Sequence, residues 1–182
     1  MAYLTRPELL KTLACALKES ERNWAMCLVG VWHGLRATEI VSLKSENIKD
    51  DYLVVKRLKH SKKTEQQMYE RPETPLLNEA PVLKKLAREA NGGYLFPGRY
   101  PGTHLSRCQL YRVFRRAAEA AGLKWPLTHP HCLKHTIAML TLENGANVAT
   151  IQEYLGHKSG QSTLQYLKIS AEEAGRAVGK VL

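Results

Sequence analysis

The chain has 182 residues, 44% of them hydrophobic, and Lys plus Arg outnumber Asp plus Glu by 27 to 17. That length and content suit one globular domain, or one with a tail, and exclude a low-complexity or disordered chain. The net charge of +10 and a pI near 9.5 favour a polyanionic partner, since each phosphate a cation neutralises releases counterions.

Cys15, Cys27, Cys108 and Cys132 form no C-x-x-C pair and read as reduced thiols, not a disulfide framework. No stretch reaches the roughly 18 apolar residues of a membrane span, and the first residues lack a signal-peptide pattern. The expected location is the cytoplasm of a bacterium.

Thr5-Arg-Pro-Glu8 is a capping-box signature, with Pro7 in the first turn where its missing N–H does no harm. Leu9, Leu10, Leu13, Ala14 and Leu17 continue it as a helical apolar stripe. A second helix carries Trp24, Cys27, Leu28 and Val31 and ends at Gly34. Gly34-Leu-Arg36 then turns into a short helix with Glu39, Ile40 and Leu43.

Tyr52 to Leu58, rich in β-branched and aromatic residues, predicts a strand. The polar run Lys59 to Gln67 reads as a hairpin tip, and Met68 to Leu77 as an edge return strand limited by Pro72 and Pro75. A helix over Asn78 to Ala90 stops at Asn91-Gly-Gly. Ser106 caps a further helix through Ala121 whose Arg107, Arg112, Arg115 and Arg116 form a basic face. From His131 the pattern is helix after helix, broken at Gly145, at Gly156 to Gly160 and at Ser170. The expected fold class is mainly α with a small antiparallel β-sheet (α+β).

Chemistry-bearing residues concentrate in the last third. His131, Lys134 and His135 are spaced by three and four, so they occupy neighbouring positions on one helix face. Such groups repel one another unless an anion sits among them. The same residues also fit a solvated polar face. A zinc reading exists too, since His129, His131, Cys132 and His135 are ligand types, but Cys132 and Leu133 point away from the histidine pair and no second ligand cluster accompanies it. His157 follows Leu155-Gly156 at a turn, and Tyr166 comes nine residues later. Arg36 adds a guanidinium at a helix start, where Glu39 could hold its fork in place.

Together these segments resemble the tyrosine recombinase (phage integrase) family. Gly34-Leu-Arg36-x-x-Glu-Ile, a hairpin lysine, His131-x-Leu-x-His135-Thr, Leu155-Gly-His157 and Tyr166 stand in the family's order, from Leu4 to about Ile169. His129-Pro-His-x-Leu, with no core-binding domain in front, is most similar to the fimbrial-switch invertases.

The resemblance implies the tyrosine recombinase catalytic-domain fold over residues 1–166. It also implies that residues 167–182 form a tail, a helix capped by Ser170 that docks on a neighbouring subunit. The implied activity is site-specific DNA recombination on double-stranded DNA, by a homodimer or homotetramer on paired sites, without metal, nucleotide or other cofactor. Tyr166 would be the nucleophile that forms a 3′-phosphotyrosyl link, and Arg36 would clamp the phosphate. His131 would handle the nucleophile's proton, and His157 would add a hydrogen bond. His135 would be structural. Lys59 would be the general acid on the leaving oxygen, with Lys62 and Lys63 as rivals on the same hairpin.

Lys134 is the departure, because family members usually carry arginine there. Lysine keeps the charge but loses the planar fork, at a cost of about 1–3 kcal/mol, or roughly ten- to a hundredfold in rate. A catalytically impaired DNA-binding relative and a type IB topoisomerase-like activity stay open beside the recombinase.

Overall fold

The computed structural model describes residues 2–58 and 62–157. In chain order it contains helices α1 (Arg6–Glu19), α2 (Glu21–Trp32) and α3 (Ala37–Val41), strands β1 (Ile48–Lys49), β2 (Tyr52–Lys56) and β3 (Lys63–Gln67), then α4 (Glu79–Ala90), α5 (Arg107–Ala120), α6 (His131–Glu143) and α7 (Val148–Tyr154). The mainly α reading with one small antiparallel sheet is correct.

Thr5 and Glu8 close the expected capping box on α1: Glu8 N–H donates to Thr5 Oγ1 at 3.4 Å, and Thr5 N–H donates to Glu8 Oε2 at 2.8 Å. The apolar stripe on α1 lies slightly off the predicted one, with Leu9, Thr12, Leu13 and Ala16 buried and Leu17 exposed. Thr12 can enter the core because its hydroxyl donates to Glu8 O at 2.8 Å.

Helix α2 is apolar on every side from Trp24 to Val31 and is accordingly buried throughout that stretch. It packs against α1, α3, α4, α5 and α6. Its two indoles donate outward, Trp24 to Leu76 O at 3.0 Å and Trp32 to Leu77 O at 3.1 Å, and so fasten the 3-10 turn Pro75–Leu77 to the core. Helix α5 buries Leu110, Val113, Phe114, Ala117 and Ala118 and leaves its four arginines exposed. Two of these are neutralised locally, Arg115 by Glu119 and Arg116 by Glu19.

The hairpin differs from the expectation. The sheet runs β1-β2-β3, antiparallel, with Val54 opposite Glu65 and Val55 opposite Thr64. The return strand is therefore Lys63–Gln67, inside the run read as a tip. Met68 to Leu77 forms no strand, only the 3-10 turn at its end. The polar sequence hid the strand because its inward residues, Thr64 and Gln66, are buried through hydrogen bonds and not through apolar packing. Among the described residues no helix is long and apolar enough to cross a membrane.

Candidate phosphate-binding site

Arg36 is the N-cap of α3, placed there by a turn in which Gly34 has φ of 56°. A side chain at Gly34 would be strained by that φ and would collide with Leu155 at the end of α7. The close approach brings the α7 terminus against the Arg36 turn. Glu39 holds Arg36 twice: its Oε1 accepts from Arg36 Nη1 at 3.1 Å, and its Oε2 accepts from Arg36 N–H at 2.8 Å. Arg36 Nη1 also donates to Leu58 O at 3.2 Å, while Leu58 N–H donates to Glu39 Oε1 at 2.9 Å. Burial opposes the Glu39 charge, yet those N–H donors and the charges of Arg57 and Arg36 prevail and hold its carboxyl below the usual range.

The other cations come from α6 and the turn after α7. Of the three residues expected on one polar face, His131 is exposed, His135 is intermediate and Lys134 is only 3% exposed. A solvated face is thereby ruled out for Lys134. Its Nζ has no hydrogen-bond partner among the described residues. Burial drives its ammonium down to about 7, aided by the charges of Arg36 and Arg57 and opposed by Glu39.

His157 is 5% exposed, and burial followed by the charges of Lys134, Arg36 and Arg57 lowers it to about 4. Burial, His131 and Lys134 likewise lower His135 to about 4. Its ring meets that of His131 edge-on at 4.6 Å. Both imidazoles are thus neutral at physiological pH and hydrogen-bond without charge.

Gly156 sets the position of His157. Its φ is 66°, and an added Cβ would lie 2.8 Å from Thr64 Cγ2 and 3.1 Å from Lys62 O. The turn therefore packs directly on β3, reinforced by Lys62 N–H donating to Gly156 O at 2.9 Å. A side chain at position 156 is incompatible with both the backbone angle and the space.

Arg36, Lys134 and His157 share one electrostatic environment, with His131 coupled to it through His135. Lys59 and Tyr166 lie outside the described residues, as does the tail 167–182. Of the rival hairpin lysines, Lys62 pairs with Glu153 at 3.0 Å on the surface, and Lys63 is exposed at the start of β3. Tyr154 is partly buried with its hydroxyl donating to Trp32 O at 2.7 Å, and desolvation pushes its pKa up, so it is not available as a nucleophile. Among the described residues no group of three or more His, Cys, Asp or Glu could hold a metal ion.

One residue escapes the motif reading. Arg57 is 4% exposed, next to Glu39, and its charge acts on both Lys134 and His157. The signal for it was its spacing of two from Leu53 and Val55 of β2, just beyond the end of that strand; all three are buried.

Among the described residues, a buried ammonium without a hydrogen-bond partner stands with a one-quarter-exposed guanidinium, an arrangement suited to an oxyanion. Arg36 supplies forked donors, Lys134 a point charge, and His157 a neutral hydrogen-bonding group.

Comparison with known proteins gives the family and the fold. The chain is 30% identical over 181 residues to the type 1 fimbriae regulatory protein FimB of Escherichia coli K12, covering 97% of this chain and 88% of that protein. FimE of the same strain is also 30% identical, with coverage of 97% and 89%. Among solved structures, the XerA recombinase superposes with a TM-score of 0.76 at 23% identity, over 99% of this chain and 65% of that one. The catalytic core of lambda integrase gives 0.67 at 24%, over 86% and 92%. The model of the Phage integrase family matches residues 3–173, and the chain belongs to that family.

Proposed function

We propose that this protein is a site-specific DNA recombinase of the integrase or invertase type, which cleaves and rejoins double-stranded DNA through a 3′-phosphotyrosyl intermediate. The observation that carries this reading is the Lys134 ammonium, buried without a hydrogen-bond partner among the described residues and flanked by Arg36. A cation so placed costs free energy unless an anion completes it. A phosphodiester supplies that anion, and the charge on its oxygens grows in the pentacovalent transition state.

In this reaction the Tyr166 oxygen attacks phosphorus and gives its proton to His131. The bond from phosphorus to the 5′-oxygen breaks, and the leaving oxygen takes a proton from Lys59. Arg36 and Lys134 hold the non-bridging oxygens, and His157 adds a hydrogen bond. The phosphotyrosyl bond conserves the energy of the broken linkage, so rejoining needs only attack by a 5′-hydroxyl. Support for Lys59 comes from its neighbour Leu58, whose N–H and carbonyl are both tied to the Glu39–Arg36 pair.

The test is capture from a pool of randomised, singly nicked duplexes, with covalent protein–DNA species isolated under denaturing conditions and sequenced. Wild type yields a covalent species with a common sequence, and Tyr166→Phe yields none. Tight binding with no covalent species would identify a DNA-binding relative. Relaxation of plasmid lacking any selected site would identify a topoisomerase.

Assembly as a homodimer or homotetramer on paired sites belongs to the same proposal, with residues 167–182 docking on a neighbouring copy. A cleft of about 760 Å³ supports this, lined by Leu9, Trp32, Leu77, Ile137 and Leu140 with Arg6 and Arg71. Arg6 complements Glu172 and Glu173 in the first turn of the sequence-predicted tail helix, while Arg71 pairs with Glu73 in the cleft at 3.8 Å. Deleting residues 167–182 is expected to leave single-site binding intact and to abolish assembly on paired sites in sedimentation. Unchanged assembly would refute the docking.

A further inference from the structure

We propose that Arg57 is the positioning residue of the phosphate clamp, fixing both the backbone and the side chain of Arg36 without touching the phosphate itself. A guanidinium has five N–H donors. In Arg57 all five directions are taken by protein acceptors. Nε donates to Thr64 Oγ1 at 2.9 Å. Nη1 donates to Gly34 O and Glu39 Oε2, each at 3.3 Å. Nη2 donates to His33 O at 2.6 Å and to Gln66 Oε1 at 3.4 Å. No donor is left over for a substrate, which separates Arg57 from Arg36 and Lys134.

The acceptors show what the residue does. His33 O and Gly34 O belong to the turn that delivers Arg36, and Glu39 is the carboxylate that grips the Arg36 guanidinium. Thr64 and Gln66 belong to β3, against which Gly156 packs ahead of His157. Arg57 thus ties three segments of the site to one rigid plane. A second layer holds it in turn. Gln66 Nε2 donates to Tyr154 O at 2.8 Å, which fixes the amide so that Oε1 faces Arg57 and His33. The other nitrogen of the fully buried His33 ring lies 3.1 Å from Glu79 Oε2.

The charge of Arg57 matters separately from its shape. Lys134 is faced by Arg36 and Glu39 from α3 and its cap, by Arg57 after β2, by His157 after α7 and by His135 on its own helix. Arg57 is one of the two cations that lower the Lys134 ammonium. A lysine at position 57 would keep that influence and lose the fork. A methionine would lose both.

The inference rests on the phosphate site but not on recombination, and two arms keep these apart. The first follows inorganic phosphate binding to the full chain by the NMR shifts of the His131 and His157 rings. The second measures single-turnover cleavage of a selected nicked duplex against pH. Arg57→Lys is expected to weaken phosphate about tenfold and to slow cleavage about 30- to 100-fold, with duplex affinity within about threefold. The pH midpoint assigned to Lys134 stays near its wild-type position in Arg57→Lys and moves upward in Arg57→Met. Thr64→Val, which removes only the Nε acceptor, weakens phosphate about threefold. A loss of phosphate affinity confirms the positioning role even if no duplex is ever cleaved.

Unchanged phosphate affinity in a cooperatively folded Arg57→Lys overturns the inference. So do losses that merely follow the folded fraction with no movement of the pH midpoint in Arg57→Met. If neither Arg57 variant folds, Thr64→Val decides: weakened phosphate binding upholds the role, and wild-type affinity overturns it.

Discussion

Lys134→Met is expected to stabilise the protein and, at the same time, to remove its capacity to cleave DNA. The ammonium is 3% exposed and lacks a hydrogen-bond partner among the described residues, so folding buries a charge that Glu39 compensates only in part. Methionine fills nearly the same volume without that cost, and a gain of about 2 kcal/mol is expected near pH 6. For a chain of this length that corresponds to roughly 4–8 °C in the thermal midpoint.

The sign with pH follows from a lysine lowered from 10.5 to about 7. Below about 7 both states carry the proton, and the burial cost is fully felt. Between about 7 and 10.5 the unfolded chain keeps the proton that the folded chain has released, so wild-type stability rises with pH through that window. The advantage of Lys134→Met accordingly shrinks between pH 6 and pH 9, which thermal unfolding at the two values measures.

Under the proposed function the same group must be protonated to hold the phosphate. Wild-type cleavage at subsaturating DNA should therefore fall as pH rises through about 7, the value of the free protein. Lys134→Arg, which cannot titrate in this range, should lose that limb. A wild-type profile flat from pH 6 to 8.5 would contradict the role given to Lys134. So would a Lys134→Met variant that cleaves as well as wild type.

The second large effect is at Glu39. Its carboxylate accepts from Arg36 N–H, Arg36 Nη1, Arg57 Nη1 and Leu58 N–H. Glu39→Ala strips all four and leaves the Arg57 charge buried without a counter-ion. A loss of about 3–5 kcal/mol is expected, and with it a fall of roughly 10 °C or more in the thermal midpoint. Glu39→Gln keeps an acceptor at the same place and should lose less.

The acid limb carries the signature of the lowered carboxyl. The stability from Glu39 is present above its ordinary carboxylate pKa and is lost as pH falls through the depressed folded value. Glu39→Ala should lack that component of acid unfolding. A variant as stable as wild type at neutral pH would show that Arg57 is not held by this pair.

Much of the described part of the candidate site was legible in the chain, because its parts sit at turns with their own signals. Gly34-Leu-Arg36 announces a turn into a helix, and the left-handed Gly34 and the Arg36 cap follow from it. Leu155-Gly156-His157 does the same at the end of α7. The α6 spacing marks three cationic or imidazole groups, but helix spacing cannot say which of them points inward. That depends on where α6 rests against α2, and it leaves His131 exposed and Lys134 buried.

The return strand failed for a related reason. Lys63-Thr-Glu-Gln-Gln67 has period-two burial carried by polar side chains, so apolar patterning passes over it. Its inward Thr64 and Gln66 are tolerated because Arg57, His33 and Tyr154 bond to them across the sheet and onto α2 and α7. Arg57 itself looked like one more surface cation of a basic chain. Only the register of β2 turns it inward, and only the fold brings five acceptors to it.

The most direct test of the central claim is the chemistry of Tyr166. Covalent species from the nicked-duplex capture, digested with nuclease and trypsin, can be read by mass spectrometry at the peptide 159–168. The expected result is that peptide carrying a nucleotide through its 3′-phosphate on Tyr166, with a free 5′-hydroxyl on the released strand. A nucleotide on any other residue, or a 5′-phosphate link, would contradict the mechanism at its first bond.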